Sequence, residues 1–443
     1  MDQRRGFLSV ADYYFFLKGN ALWAEIRSDL TVNGLGFGDY PERNGYPRFS
    51  RNTRLKTVIC EDKIEISDPP SKPQKPKSNL FMKLFPSFGM LIAAGAMAFM
   101  GGTMIIFSLI SCTIAIITAV VGVMEGKKEF REKTANRIEV YQKYIASKRQ
   151  EIEECRNREW TERNEIYIPA EQEIQQVETF SPDLFDRTPQ DEDFLCVRLG
   201  SGPIESARQV NYKKQEKLEI EDDLSLLPEQ TASFYKELQN APVICDLKNV
   251  NAVGITGEEA DRFELLKLIV TDVALRHFAA DVKLFFVAEK EHAGRMHLFR
   301  FLPGAYCVQT DTRGIVTDDE SKTLIFEYLY KELTMRAQEK RSYPHLLIFF
   351  YDEYGYKKHP ISQFTEKGKD LGVTFLFFGQ TRADIPVGCD YVVQLSGGYR
   401  GVLINAAEKS KTVPFVSSQI SDTLAVRIVR TLARFVRMKF HWK

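Results

Sequence analysis

Three regimes of hydrophobic patterning divide this chain. Between Lys83 and Glu125 no residue is charged, and Leu, Ile, Met, Ala, Val and Phe dominate the run. A single membrane span takes roughly 20 such residues. The run therefore predicts two spans, 84–100 and 104–124, reversing at Gly101-Gly102-Thr103, where glycine permits a tight turn. Buried helices of soluble proteins keep a polar stripe, and none is present here. From Lys127 to Glu165 the chain turns charge-dense and lacks Gly and Pro, with Ile138, Tyr141, Ile145, Ile152 and Cys155 on a heptad-like seam. This pattern predicts a helical stalk over 125–190. Because Lys148 interrupts the seam at a d-type position, the pattern favours a helix lying on its neighbour, or pairing with a second helix from Pro169 onward, over an autonomous coiled coil.

From about Asp191 short apolar, β-rich runs alternate with amphipathic segments, the pattern of an α/β domain with a parallel-rich sheet covered on both faces, here over 191–443. Strands are expected at Val243–Leu247, Val250–Val253, Lys283–Ala288, Ala305–Gln309, Leu346–Tyr351, Val373–Phe378, Tyr391–Leu395 and Gly401–Ile404. Helices are expected at Gln230–Asn240, Asp261–His277, Thr323–Gln338 and Ser421–Val436. Ahead of the apolar run, residues 1–66 form a small cytosolic element with short strands at 54–59 and 63–66. A proline- and lysine-rich linker, 67–83, follows and brings its lysines to the lipid surface.

Charge then orients the hairpin. Lys72, Lys75, Lys77 and Lys83 precede it and Lys127, Lys128, Arg131 and Lys133 follow it, so both ends lie in the cytoplasm of a multi-pass cell-membrane protein. Sixty basic and sixty acidic side chains cancel, which leaves no global field to draw nucleic acid. The seven cysteines are scattered without a C-x-x-C pair, and the six histidines show no ligand spacing, so no metal site is expected.

Two stretches carry candidate nucleotide chemistry. Val253 to Asp261 runs from a strand end through a Gly-containing turn into a helix, the place of a Walker A loop. Read from Gly254 through Gly257 and Glu258, the pattern G-x-x-x-x-G-K-[ST] requires Gly, Lys and Ser/Thr where Glu259, Ala260 and Asp261 stand. No lysine meets the phosphates, no hydroxyl meets magnesium, and the acidic groups repel a polyphosphate. Carboxylates do suit the positive end of a helix. The strand Leu346 to Tyr351 ends in Asp352-Glu353, shaped like a Walker B element. These readings predict a degenerate phosphate loop without catalytic residues, cofactor or metal.

With those residues in hand, the chain resembles the N-terminal half of the membrane ATPase of type VII secretion systems, the EssC/EccC family, whose soluble modules are similar to FtsK/SpoIIIE translocases. The resemblance is carried by Phe49 to Arg54, Glu65 to Pro70 with Lys72-Pro73, the hairpin, Asp183 to Arg187, Asp193-Phe-Leu, Val197 to Gly202, Ala241 to Leu247 and Val253 to Gly257. Asn52, Thr53 and Phe185 depart from the usual Ser, Pro and Trp, and Phe301-Leu-Pro-Gly304 departs from L-P-H. It implies a RecA/FtsK-like pseudo-ATPase module that anchors and scaffolds a secretion ATPase without hydrolysing ATP. The partners it implies are other inner-membrane components and further copies of the chain in a hexamer. Helical-hairpin WXG-type substrates would engage intact P-loop modules beyond Lys443. Two other readings remain: a DNA translocase subunit of the FtsK kind, and an active nucleotidase with an unconventional phosphate loop.

Overall fold

A computed structural model describes residues 57–76, 104–179, 181, 183–212, 222–408 and 411–434, strands at 8–10, 13–18 and 21–26, and isolated helical positions between 85 and 95. The resembling stretch Phe49 to Arg54 and nearly all of the expected span 84–100 lie outside these residues. The chain divides into two compact units, one of Met1–Ile59, Glu159–Glu205 and Leu238–Lys443, the other of Cys60–Arg158 and Ser206–Glu237.

The first unit is built on a ten-stranded sheet. Its strands are β1 (Cys196–Glu205), β2 (Glu237–Asp246), β3 (Ala252–Thr256), β4 (Val282–Val287), β5 (Ile315–Val316), β6 (His345–Phe350), β7 (Val373–Gly379), β8 (Tyr391–Leu395), β9 (Arg400–Asn405) and β10 (Thr412–Val416). Their order is β5-β4-β6-β7-β3-β8-β9-β10-β1-β2. From β5 to β8 every pairing is parallel. Beyond β8 the pairings of β9 and β10 turn antiparallel. The sheet is therefore mixed, its five parallel pairings extended by an antiparallel edge. The turns after β8 and β9 are too short for the crossover a parallel pair requires, and Gly397 and Gly398 make the first of them with φ of +85° and +61°.

Strands β3, β4, β6 and β7 are buried along their whole length apart from Lys283, which is why they read as continuous apolar runs. Three long helices cover them: α4 (Glu259–Arg276), α5 (Asp319–Glu339) and α6 (Asp422–Arg434). Helix α5 starts four residues before its expected Thr323, because Asp318 accepts from the Ser321 N–H at 2.8 Å while the Ser321 hydroxyl answers at the cap. That same hydrogen bonding holds the exposed Asp318 carboxyl below its usual range.

The expected helix Gln230–Asn240 is wrong at both ends. Helix α3 (Asp223–Phe234) begins at an Asp222–Ser225 capping box and stops at Phe234, and Glu237 onward is β2. Asn240 sits at φ +52°, so the buried positions Leu238 and Ala241 are spaced as around a bulge rather than by strict alternation. The expected strand at Ala305–Gln309 shrinks to a two-residue ladder, Tyr306–Cys307 against Thr312–Arg313, outside the main sheet.

Strand β1, not anticipated as a strand, contains the Gly200-Ser-Gly202 of the resembling motif. A Cβ on Gly202 would lie 2.0 Å from the Pro414 carbonyl, and one on Gly200 would lie 2.2 Å from that of Val416. Both glycines therefore permit backbone approach of β10. Gly202→Ala is expected to cost about 1–3 kcal/mol of unfolding free energy through overpacking. Gly294→Ala, where nothing lies within 4 Å, serves as the silent comparison in the same denaturant titration.

At the entry to this unit, arginines gather on the last carbonyls of helix α1 (Met104–Ile166). Arg187 donates to the Ile166 carbonyl at 2.5 Å, Arg276 to the same oxygen at 3.4 Å, and Arg198 to the Tyr167 carbonyl at 2.5 Å. These oxygens lack intrahelical partners and sit at the negative end of the helix dipole. The following helix, α2 (Ala170–Thr179), packs on α4 and α6.

In the second unit the stalk seam is partly seen. Tyr141, Ile145 and Ile152 are buried with Ile64, Ile66 and Leu224 in a small core, while Ile138 is exposed. The seam packs on α3 and on residues 64–66. Lys148 avoids the core by pairing with Glu151 at 2.8 Å. The expected stretch 63–66 forms Ile64–Glu65, in parallel register with Val210–Asn211. Residues 104–124 are helical and continue without a break at Met124 into the stalk. Among the described residues no helix is long and apolar enough to cross a membrane.

Candidate functional site

Strand β3 delivers its chain to the N-terminus of α4 in two residues, Gly257 and Glu258. Gly257 has φ +146°, and a Cβ there would come within 2.7 Å of Leu395 Cβ, so a side chain would be strained and crowded. Its N–H faces the Gly379 carbonyl on β7 at 3.3 Å. Gly254 is buried in β3, where a Cβ would press within 2.2 Å of Ile385. A phosphate loop wraps its anion with several consecutive N–H groups. Here a two-residue turn spends one of them on the neighbouring strand.

The acidic residues of the turn divide. Glu258 is exposed, with extended backbone and no capping side-chain hydrogen bond. Asp261 lies in the first helical turn, where the dipole favours an anion. Glu259 is held from the side: the Arg295 guanidinium donates to its carboxylate, and His292 Nε2 stands 3.4 Å away.

Asp352, at the end of β6, joins the same network through His292. Its carboxylate accepts from His292 Nδ1 at 2.7 Å and from the Glu289 N–H at 2.8 Å. Tyr351 lies beneath, its hydroxyl 3.3 Å from the Glu259 carbonyl and 3.4 Å from Arg295. Arg262 covers the Tyr351 ring at 5.4 Å and His292 meets it edge-on at 5.1 Å. The structure thus links Glu259 and Asp352, one from each half of the Walker-like pair, by one imidazole. Glu353 turns away into its own loop and accepts from the Gly355 and Lys357 N–H groups at 3.0 and 2.8 Å. Partial burial works against its charge, yet these backbone donors hold the carboxyl below the usual range.

His292 and Arg295 escaped sequence reasoning. Neither belongs to a spaced motif, and they reach the site from the loop after β4 only because β4 lies beside β6. Among the described residues no group of three His, Cys, Asp or Glu side chains is placed to hold a metal. The arrangement brings the Arg295 guanidinium and the His292 imidazole against the Glu259 and Asp352 carboxylates.

No family model matches the chain. It is 22% identical over 382 residues to the ESX secretion system protein EccC of Geobacillus thermodenitrificans, covering 84% of this chain and 26% of that one. Likewise it is 20% identical to the ESX secretion system protein YukB of Bacillus subtilis, covering 84% and 25%. To the type VII secretion system protein EssC of Staphylococcus aureus (strain MSSA476) it is 22% identical over 445 residues, covering 94% and 30%. The chain thus spans about a quarter to 30% of the length of these curated relatives. Among solved structures, the cytoplasmic domain of the Thermomonospora curvata type VII secretion ATPase EccC aligns at TM-score 0.37 and 15% identity, over 56% of this chain and 32% of that one.

Proposed function

Since the chain is a relative of the EccC/EssC proteins of type VII secretion systems, we propose that it is a scaffolding and membrane-anchoring portion of such a secretion ATPase, whose α/β unit does not turn over nucleotide. The observation that carries this reading is the Glu259–His292–Asp352 bridge with Arg295, which occupies with protein charges the ground a magnesium nucleotide would need. Displacing it would leave the Asp352 and Glu259 carboxylates facing a polyphosphate, an unfavourable exchange at short range. The two-residue turn between β3 and α4 supports the same conclusion.

Anchoring is supported by the uncharged run 84–124. On α1, Ile110, Ile114, Ile117, Val121 and Met124 are each more than 40% exposed, an apolar sleeve that lipid would cover and water would not favour. In this reading the partners are other inner-membrane components of the system and further copies of the chain.

The purified chain is expected to show no magnesium-dependent ATP hydrolysis above a protein-free blank and no saturable binding of a fluorescent ATP analogue. Hydrolysis that disappears in Asp352→Ala or Glu353→Ala would overturn the reading.

A further inference from the structure

In the unit formed by residues 60–158 and 206–237, one guanidinium stands between two thiols. Arg208 places Nη1 2.8 Å from Cys155 Sγ and Nη2 2.8 Å from Cys60 Sγ. Its Nε is buried without a hydrogen-bond partner among the described residues, and the Asp62 carboxylate lies 3.6 Å from Nη2. The Cys60 thiol in turn donates to the Asp62 carboxylate at 3.1 Å. A neutral thiol is a weak acceptor, so a mostly buried cation aimed at two sulfurs gains its full interaction only when one of them is a thiolate.

Independent contacts bring the three segments together. The parallel pairing of Ile64–Glu65 with Val210–Asn211 carries Cys60 toward Arg208. Arg156 on the stalk helix donates to the Arg208 carbonyl at 2.7 Å, one residue along from Cys155. Both cysteines keep partial solvent access, whereas Cys196, Cys245, Cys307 and Cys389 are buried. Burial pushes the Cys196 thiol up to about 12 and that of Cys389 up to about 11, which leaves these two unreactive at neutral pH.

We propose that Cys60 and Cys155 form a peroxide-responsive dithiol that closes to an intramolecular disulfide, with Arg208 as the cation that holds the attacking thiolate. The Cys60 proton passes to Asp62, and the thiolate attacks one oxygen of hydrogen peroxide. The O–O bond breaks, Cys60 becomes a sulfenic acid, and the departing hydroxide takes the proton from Asp62 to leave as water, which restores the Asp62 carboxylate. Cys155, as thiolate, then attacks the Cys60 sulfur and expels the second oxygen as water. Two thiols lose two electrons and two protons, and one peroxide becomes two waters. The guanidinium has to leave from between the sulfurs, and Asp62, 86% exposed, gives it an outward partner. The bond would tie the segment ahead of the uncharged run to the stalk helix behind it.

The test is mass spectrometry of non-reduced peptides from the full chain in detergent, treated with hydrogen peroxide at neutral pH. A linked Cys60–Cys155 peptide, removed by dithiothreitol, is expected, with Cys196 and Cys389 still reduced. Arg208→Gln should slow its appearance about tenfold, while Arg208→Lys keeps most of the rate. In Cys155→Ser a dimedone adduct should accumulate on Cys60. Separate overoxidation of the two cysteines in the unaltered chain, with no linked peptide, would overturn the proposal. So would equal rates for the unaltered chain and Arg208→Gln.

Discussion

Arg276→Ala is expected to lower the unfolding free energy by about 3–5 kcal/mol, because it strands two buried carboxylates without their cation. Arg276 Nε lies 2.8 Å from Glu173 and 3.2 Å from Asp272, and all three residues are more than nine-tenths buried. Burial raises the Asp272 carboxyl well above its ordinary range, and the adjoining Glu173 charge and hydrogen bond raise it further. A carboxyl raised in the folded state binds its proton more tightly there than in the unfolded chain. Its contribution is therefore fully present below the unfolded value near 3.8, and is lost as pH climbs through the folded value. Removing Arg276 takes away the cation favouring the ionised form, so the loss of stability should extend to higher pH. Asp272→Asn should flatten the slope while costing far less. Urea midpoints measured across pH 5 to 8 check both, and unchanged midpoints in Arg276→Ala would remove the account.

A comparable loss is expected from Phe286→Ala. This ring is fully buried on β4, stacked 4.7 Å from Phe299 and 5.0 Å from Phe349, with planes 11° apart in each pair. Phe349 is its cross-strand partner on β6. Emptying the site forfeits transfer energy and leaves a cavity between two strands, about 3–5 kcal/mol for a buried phenylalanine. The rigid sheet around it limits relaxation. Phe301→Ala, on a ring 36% exposed, should stay within about 0.5 kcal/mol. Similar denaturation midpoints for the two variants would contradict the packing argument.

How much of this was legible in the sequence varies by element. Tyr391–Leu395 was expected and is observed with those bounds, and β4, β6 and β7 fall within one residue of expectation. The last three announce themselves because burial on both faces demands a nearly unbroken apolar run. Strand β1 did not, since Gly200, Gly202 and Pro203 are residue types depleted in strands. It is a strand because β10 lies too close for side chains at the two glycines. The site divides in the same way. The acidic replacements at the phosphate turn were plain from spacing. His292 and Arg295, which bind those acids, carry no local signal.

Residue type and order by themselves determined the uncharged run, the charge-rich helical stalk, the alternation of buried strands with covering helices, and the absence of a Walker lysine at Glu259 to Asp261. Each follows from local chemistry, because the period of apolar residues and the presence of a given side chain need no knowledge of distant contacts. Tertiary structure decided the mixed sheet order, the partner of the stalk seam, the ion-pair bridge from Glu259 to Asp352, and the guanidinium between Cys60 and Cys155. These depend on which segments are brought side by side, and a side chain's electrostatic partners in three dimensions leave no trace in its sequence neighbours.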